Sequence, residues 1–337
     1  MKPSKSDTGF RAQAPPARTI GFVLIPGFAL MSYASAIEPL RAANHLSGKT
    51  LYFWKHISVD GQPVPASNGV NILPEHKVGD RTALDMVFVC AGGNPSEFDD
   101  PRTLQWLRGL ARKGTRIGGI SGGPFVVARA GLLSGYSCTI HWEHIPAFIE
   151  AFPDLDLTRS LFEIDRDRLT CAGGIASLDM MHALIEAEHG HALAGAVSEW
   201  FLHTEIREGE GPQRMALRER FSIGHERLLK ILEQMEANIE APVARRELAR
   251  VAGLSVRQIE RLFQSYLRRT LGAHYLDLRL RRARQLLKES SLPVLEVAIA
   301  CGFTSASHFS RVYRRRFGRT PRSERLPLRV PGIETLD

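Results

Sequence analysis

Residues 252–263 read AGLSVRQIERLF, and residues 301–313 read CGFTSASHFSRVY. In each, a glycine (Gly253, Gly302) follows a short apolar run, and a hydroxyl residue (Ser255; Thr304 or Ser305) opens a second run of helical spacing. Glycine readily takes φ > 0 and ends a helix, and a serine or threonine side chain caps the free N–H groups of the next one. The pattern predicts two helix-turn-helix units, with first helices at 246–252 and 292–300. In the first unit Ile259, Leu262, Phe263 and Tyr266 fall on one face of the second helix, leaving Arg257, Gln258 and Arg261 on another. In the second unit Phe309, Val312, Tyr313 and Phe317 form the buried face. Ala306, Ser307, Ser310, Arg311 and Arg314 then point outward.

Charge agrees with the repeat. Residues 241–325 carry 19 Lys and Arg against 6 Asp and Glu, whereas the rest of the chain carries 25 against 30. All the excess positive charge lies with the duplicated pattern, the electrostatic footprint of phosphate binding. Arg261 and Arg311 hold the same place in their units, so both are expected to reach DNA at a base edge or a phosphate. The bland alternative is a pair of solvated arginines; duplication and charge asymmetry argue against it.

Residues 223–325 resemble the AraC/XylS family of transcription regulators. The resemblance is carried by Leu248-Ala249, Gly253-Leu254-Ser255, RLRRARQLL at 279–287, EVAIACGF at 296–303, SHFSRVYRRRFG at 307–318 and Thr320-Pro321. It implies an all-α domain whose connecting helix, 272–288, holds two recognition helices in successive major-groove segments on one face of promoter DNA.

The 337 residues allow two domains with a core each, and a content of 44% hydrophobic and 24% charged residues suits a globular chain. No apolar run approaches bilayer length, and residues 1–18 lack the apolar core of a signal peptide, so a cytoplasmic protein with a polar N-terminal tail and no membrane partner is expected. The four cysteines, Cys90, Cys138, Cys171 and Cys301, form no CxxC pair. They point to a reducing compartment and to no metal or other cofactor, and are expected as buried small apolar residues.

Upstream of the repeat, strand and helix alternate. Strands are expected at 19–25, 51–59, 85–90, 115–120 and 169–172, and helices at 31–44 (with Ser32 as its cap), 100–113, 125–130 and 177–189, with 192–205 continuing helical. This is an α/β domain with a mostly parallel sheet and helices on both faces. The run Glu208-Gly209-Glu210-Gly211-Pro212 breaks the pattern and marks a linker at 206–222. A long helix at 223–239 opens the second domain, and 326–337 is a C-terminal tail.

At 115–125 a strand turns abruptly through Ser121-Gly122-Gly123-Pro124 into a helix, the shape of a nucleophile elbow. The stretch GISGGPFVVARAGLLSGYSCTIHWEH at 119–144, with IEPLRAAN at 37–44 and TCAGGIASLDMMHALIEAEHG at 170–190, is similar to the class I glutamine amidotransferase-like, PfpI-type domain. That domain joined to an AraC-type domain defines the GlxA-type regulators. Within these, SAIEPLRAANHLSGKTLYFW and LEQMEANIEAP look most like regulators of glycine betaine, carnitine and related amine catabolism.

In catalytic relatives the elbow holds a cysteine, usually followed by histidine, and a glutamate from the first helix approaches it. The matching positions here are Ser121, Gly122 and Glu38. A serine needs a neighbouring base, and glycine supplies none, so a pocket without catalysis is expected. The alternative is an amidase or glyoxalase-like enzyme with Ser121 as nucleophile and His141 as base. In the pocket reading, backbone N–H groups after Ser121 and at Gly92-Gly93 bind a carboxylate. Phe28, Tyr33 and Trp142 form an aromatic wall that, with Glu38, holds a quaternary ammonium. The bland alternative for Phe28 and Tyr33 is core packing, and for the glycines tight turns. Asp179 is expected only to support the start of its helix. The resulting expectation is a homodimeric, ligand-responsive activator that binds promoter DNA and meets RNA polymerase.

Overall fold

The structure, a computed structural model, describes residues 16–290 and 292–325. The tails expected at 1–18 and 326–337 lie outside the described residues, apart from 16–18. Strand β1 (Arg18–Leu24) leads through α1 (Leu30–Ser47) to β2 (Tyr52–Ser58). A small hairpin, β3 (Val64–Pro65) with β4 (Asn71–Ile72), precedes β5 (His76–Lys77) and β6 (Met86–Ala91). A short 3-10 turn at Pro95–Glu97, α2 (Pro101–Arg112), β7 (Arg116–Ser121) and α3 (Gly123–Arg129) follow. Then come β8 (Ser137–Cys138), α4 (Ile145–Ala151), β9 (Asp156–Leu157), β10 (Phe162–Asp165), β11 (Arg168–Cys171), α5 (Ala176–His189) and α6 (His191–Trp200).

The main sheet has the order β10-β11-β7-β6-β1-β2-β5, parallel throughout except for the antiparallel β10–β11 edge. Because side chains alternate along a strand, β1 feeds both faces. Ile20, Phe22 and Leu24 pack with α1, α5 and α6 residues such as Leu40, Met181 and Val197. Val23, with Ile25 just beyond, packs on the other side with Leu107, Val127 and Phe148 from α2, α3 and α4. The continuously apolar strands of the sequence are thus strands covered on both faces. Three details differ from expectation. Helix α1 starts at Leu30 with Ala29 as N-cap, so Ser32 lies inside it and its hydroxyl is free for another partner. Helix α6 ends at Trp200 rather than 205. The edge strand β10, half buried and short, carried too weak an apolar signal to stand out.

The C-terminal part is all helix: α7 (Leu217–Phe221), α8 (Glu226–Ala237), α9 (Arg245–Val251), α10 (Val256–Leu267), α11 (Leu271–Glu289), α12 (Val294–Ala300), α13 (Ala306–Phe317) and α14 (Pro321–Glu324). Two separate cores lie here, and α11 belongs to both. Its Leu271 and Tyr275 join the core of the first unit with Ile259 and Phe263, and its Leu280, Ala283, Leu286 and Leu287 join the second with Phe309 and Tyr313. The connecting helix therefore sets the spacing of the two units. Both turn glycines have positive φ, +62 at Gly253 and +73 at Gly302. At Gly302 a Cβ would also come within 2.7 Å of the Ile239 carbonyl, so close packing as well as conformation requires glycine.

Candidate functional site

The elbow forms as its sequence suggests. Strand β7 ends on Ser121 at φ +61, a conformation that L side chains rarely adopt, and α3 begins two residues later. Four chain segments close on it. A Cβ at Gly173, just after β11, would sit 2.7 Å from the Ser121 Cβ and 2.7 Å from the Ser32 hydroxyl of α1. That hydroxyl accepts the Gly174 N–H at 2.7 Å, which is the work Ser32 does in place of capping. The His141 N–H donates to the Ser121 carbonyl at 3.3 Å, and the Gly122 N–H donates to the Ala91 carbonyl at 3.0 Å.

This geometry corrects part of the expected pocket. The Gly122 amide is already spent on Ala91 and is no donor to a ligand. Glu38 is bound by Arg41, with Nε 2.7 Å from its carboxylate, and its side chain is 43% exposed. The α1 residue brought against the elbow is Ser32, not Glu38. Phe28 and Tyr33 are buried in the sheet core, edge to face with each other at 5.6 Å, so the bland packing role describes them. Trp142 faces outward at 36% exposure, under the Arg214 guanidinium at 4.7 Å. Gly92 lies against the Gly27–Ala29 backbone, where a Cβ would approach the Gly27 carbonyl to 2.7 Å, and Gly93 opens the next turn at φ +59. What the fold does bring together is Ser121, Ser32, Gly173, Gly174 and the His141 turn.

The chemistry available there is limited. No side chain among the described residues hydrogen-bonds to the Ser121 hydroxyl. Burial and the nearby His144 push the His141 imidazole down to about 4, so it is neutral at neutral pH. Its Nδ1 faces Glu143, 3.4 Å from the backbone N and 3.9 Å from the carboxylate. Burial drives the Cys90 thiol up and pushes Cys171 up to about 11, so neither supplies a thiolate. Among the described residues no group of His, Cys, Asp and Glu is arranged to hold a metal ion.

The recognition helices are built as expected at their starts. Ser255 caps α10 in a full capping box, with Gln258 Oε1 accepting the Ser255 N–H at 2.8 Å. Gln258 thus has a local task that its outward position did not reveal. Ser305 caps α13, which decides between the two hydroxyl candidates. Arg257, Arg261, Ala306, Ser307, Arg311 and Arg314 are exposed and Ser310 is partly so. Tyr266 is 47% exposed and rests against His225 rather than in the core.

The sequence profile of the DJ-1/PfpI family matches residues 19–187, and that of a helix-turn-helix domain matches residues 248–326. The HTH-type transcriptional regulator GbdR of Pseudomonas aeruginosa is 46% identical over 318 residues, spanning 94% of this chain and 87% of GbdR. This chain belongs to the HTH-type transcriptional regulators that carry a DJ-1/PfpI domain. GlxA of Rhizobium meliloti, another such regulator, is 46% identical over 91% of this chain and 95% of its own length. A crystal structure of an AraC family transcriptional regulator from Pseudomonas putida matches with a TM-score of 0.50 at 28% identity, over 55% of this chain and 100% of that one. The regulator is thus a DNA-binding protein whose curated relatives are transcriptional regulators, not enzymes. No helix among its described residues is long and apolar enough to cross a membrane.

Sequence reasoning missed how the regulator joins its parts. The first half of the stretch expected as a linker at 206–222 lies fastened along the α/β domain, from Arg207 to Gln213, whereas α7 at its end packs with Leu217 and Phe221 against the first core of the C-terminal part. Asp179, whose side chain is fully buried, accepts from His203 Nε2 at 2.8 Å, from the Arg207 backbone N at 3.0 Å and from Arg207 Nε at 3.0 Å. It does far more than support its helix start. The Gln213 amide donates to the carbonyls of Ile140 and Ser160 at 3.0 and 2.7 Å, directly before His141. A buried aspartate in a helix is a signal that something polar must cover it, but the partner lies in a segment whose Gly and Pro content suggested a free linker.

Proposed function

We propose that this regulator is switched by a small zwitterionic amine of the glycine betaine or carnitine type, held without chemistry at the Ser121 elbow. The division proposed is an effector-sensing part at 19–205, a strap at 206–222 and a DNA-binding part at 223–325. At the elbow the Ser121 hydroxyl and the Gly93 amide take the carboxylate end. The uncharged His141 ring beside the acidic Glu143 tolerates the cationic end, since a protonated imidazole would repel it. The regulator is proposed to act in the cytoplasm as a homodimer that activates transcription with RNA polymerase.

The DNA contacts proposed are Arg257, Arg261, Arg311 and Arg314, with Ala306, Ser307 and Ser310 beside them. One observation carries this assignment. Four acidic residues of the domain are consumed elsewhere: Asp277 pairs with Arg269, Arg281 and Arg316, Glu324 with Arg284, Lys288 and Arg319, Glu247 with Arg250, and Glu260 with Arg245. The four recognition-helix arginines form no ion pair among the described residues, so binding DNA does not require them to give one up. In fluorescence anisotropy on promoter fragments, changing Arg261 and Arg311 together to alanine is expected to cost about 2–6 kcal/mol, and the salt slope should fall by about 1 for each phosphate the variant no longer neutralises. Unchanged affinity would refute the assignment. A thermal-shift screen of betaines, carnitine and amino acids tests the effector half, since a ligand of the folded state raises its melting point.

A further inference from the structure

The turn that carries His141 and the loop that carries Gly92-Gly93 each run on into a contact with the same place in the DNA-binding part. Beyond Gly93, the Asn94 side-chain amide donates to the Lys288 carbonyl at 2.5 Å. That carbonyl belongs to the last turn of α11, where helix carbonyls have no partner within the helix. Beyond His141, the His144 Nδ1 lies 3.2 Å from a Glu289 carboxylate oxygen, with the two side chains only 6% and 14% exposed. Two turns earlier on α11, Arg282 is desolvated facing the charges of Glu150 and Glu289. A third tie leaves the same turn: Arg214 stacks on Trp142 and reaches Glu236 of α8 at 3.8 Å.

We propose that Asn94 and His144 form a clasp on the C-terminal end of α11, through which occupancy of the elbow pocket sets the position of the second helix-turn-helix unit relative to the first domain. The proposal rests on the sensor reading above. Both halves of the clasp stand within three residues of a pocket wall, so a ligand that moves Gly93 or His141 moves its grip on α11. Glu289 cannot stay buried without His144 at low cost, which makes the contact two-state rather than gradual. Because α11 spans both cores, shifting its C-terminal end alters how α10 and α13 present themselves to one duplex.

Hydrogen exchange on the full-length protein without any ligand tests the clasp directly. Glu289→Ala leaves the pocket untouched and is expected to speed amide exchange about tenfold in 92–97 and 141–149, across the domain boundary from the substitution. His144→Ala is expected to do the same, reciprocally, in 284–290. Should Glu289→Ala loosen all of 294–317 through poor folding, His144→Ala alone decides. Unchanged exchange across the boundary overturns the proposal. A second arm uses glycine betaine as probe, with calorimetry for binding and anisotropy on a promoter duplex for coupling. Glu289→Ala is expected to bind glycine betaine as wild type does, while the change in DNA affinity, about fivefold or more in wild type, disappears. Binding with an undiminished DNA response in the variant overturns the clasp. Failure of the wild type to bind glycine betaine counts against the sensor reading instead, and the ligand-free exchange still judges the clasp.

Discussion

Replacing Asp179 by alanine should release the strap that joins the two parts of the regulator. The carboxylate is completely buried and accepts four hydrogen bonds, one from His203, one from the Arg207 backbone and two from the Arg207 guanidinium. Breaking a buried charge pair typically costs about 3–5 kcal/mol, because the surviving partner is left uncompensated. Here the Arg207 side chain is 37% exposed and recovers water once released, so about 2 kcal/mol is the expected loss. That raises the population of the opened strap roughly thirtyfold. Limited proteolysis across 203–216 and hydrogen exchange in the same segment read this opening, and urea unfolding of the α/β domain reads any wider loss. Asp179→Asn should behave almost as badly despite equal size, since its amide N–H groups would face the donors of Arg207. Unchanged cleavage in 203–216, with stability within about 0.5 kcal/mol of wild type, would refute the view that this carboxylate holds the strap.

Two further outcomes are expected. His274 sits between Phe221 and Phe263 with neither ring nitrogen hydrogen-bonded, and burial, with Arg269 nearby, pushes it down to about 4. Its folded-state value lies below the unfolded one, so the stability it permits is full above about pH 6.5 and is lost as pH falls toward about 4. A loss of about 1–2 kcal/mol in the DNA-binding part by pH 5, absent in His274→Phe, is the result to look for in denaturant melts. Gly173→Ala places a Cβ 2.7 Å from both Ser121 and Ser32 at a backbone φ of +85, so it should destabilise by about 2 kcal/mol or more and abolish ligand-induced thermal shifts. A variant that melts like wild type would show that the elbow is looser than these contacts imply.

The helix-turn-helix units were legible because everything that specifies them is local. Helical spacing, a turn glycine and a capping hydroxyl all lie within a dozen residues, and the second copy repeats the test. The positive charge was equally plain, and so was the elbow, where a strand, small residues and a helix start are contiguous. What could not be read was which side chain meets which across the fold. A helix advances about 100° per residue, so whether Glu38 or Ser32 faces Ser121 depends on how α1 is rotated against the sheet and α5, and that is set by distant residues. The same holds for the linker: its glycines suggested freedom, yet Gly209 and Gly211 serve close approach to Phe162 and Leu161, and Asp179 and Gln213 fasten it. Amino-acid order alone determined that this chain has a DNA-reading half and an elbow-bearing half. Tertiary packing decided which groups line the elbow and how it is tied to α11, because those contacts join residues from about twenty to almost two hundred positions apart, on separate elements, and no local pattern encodes them.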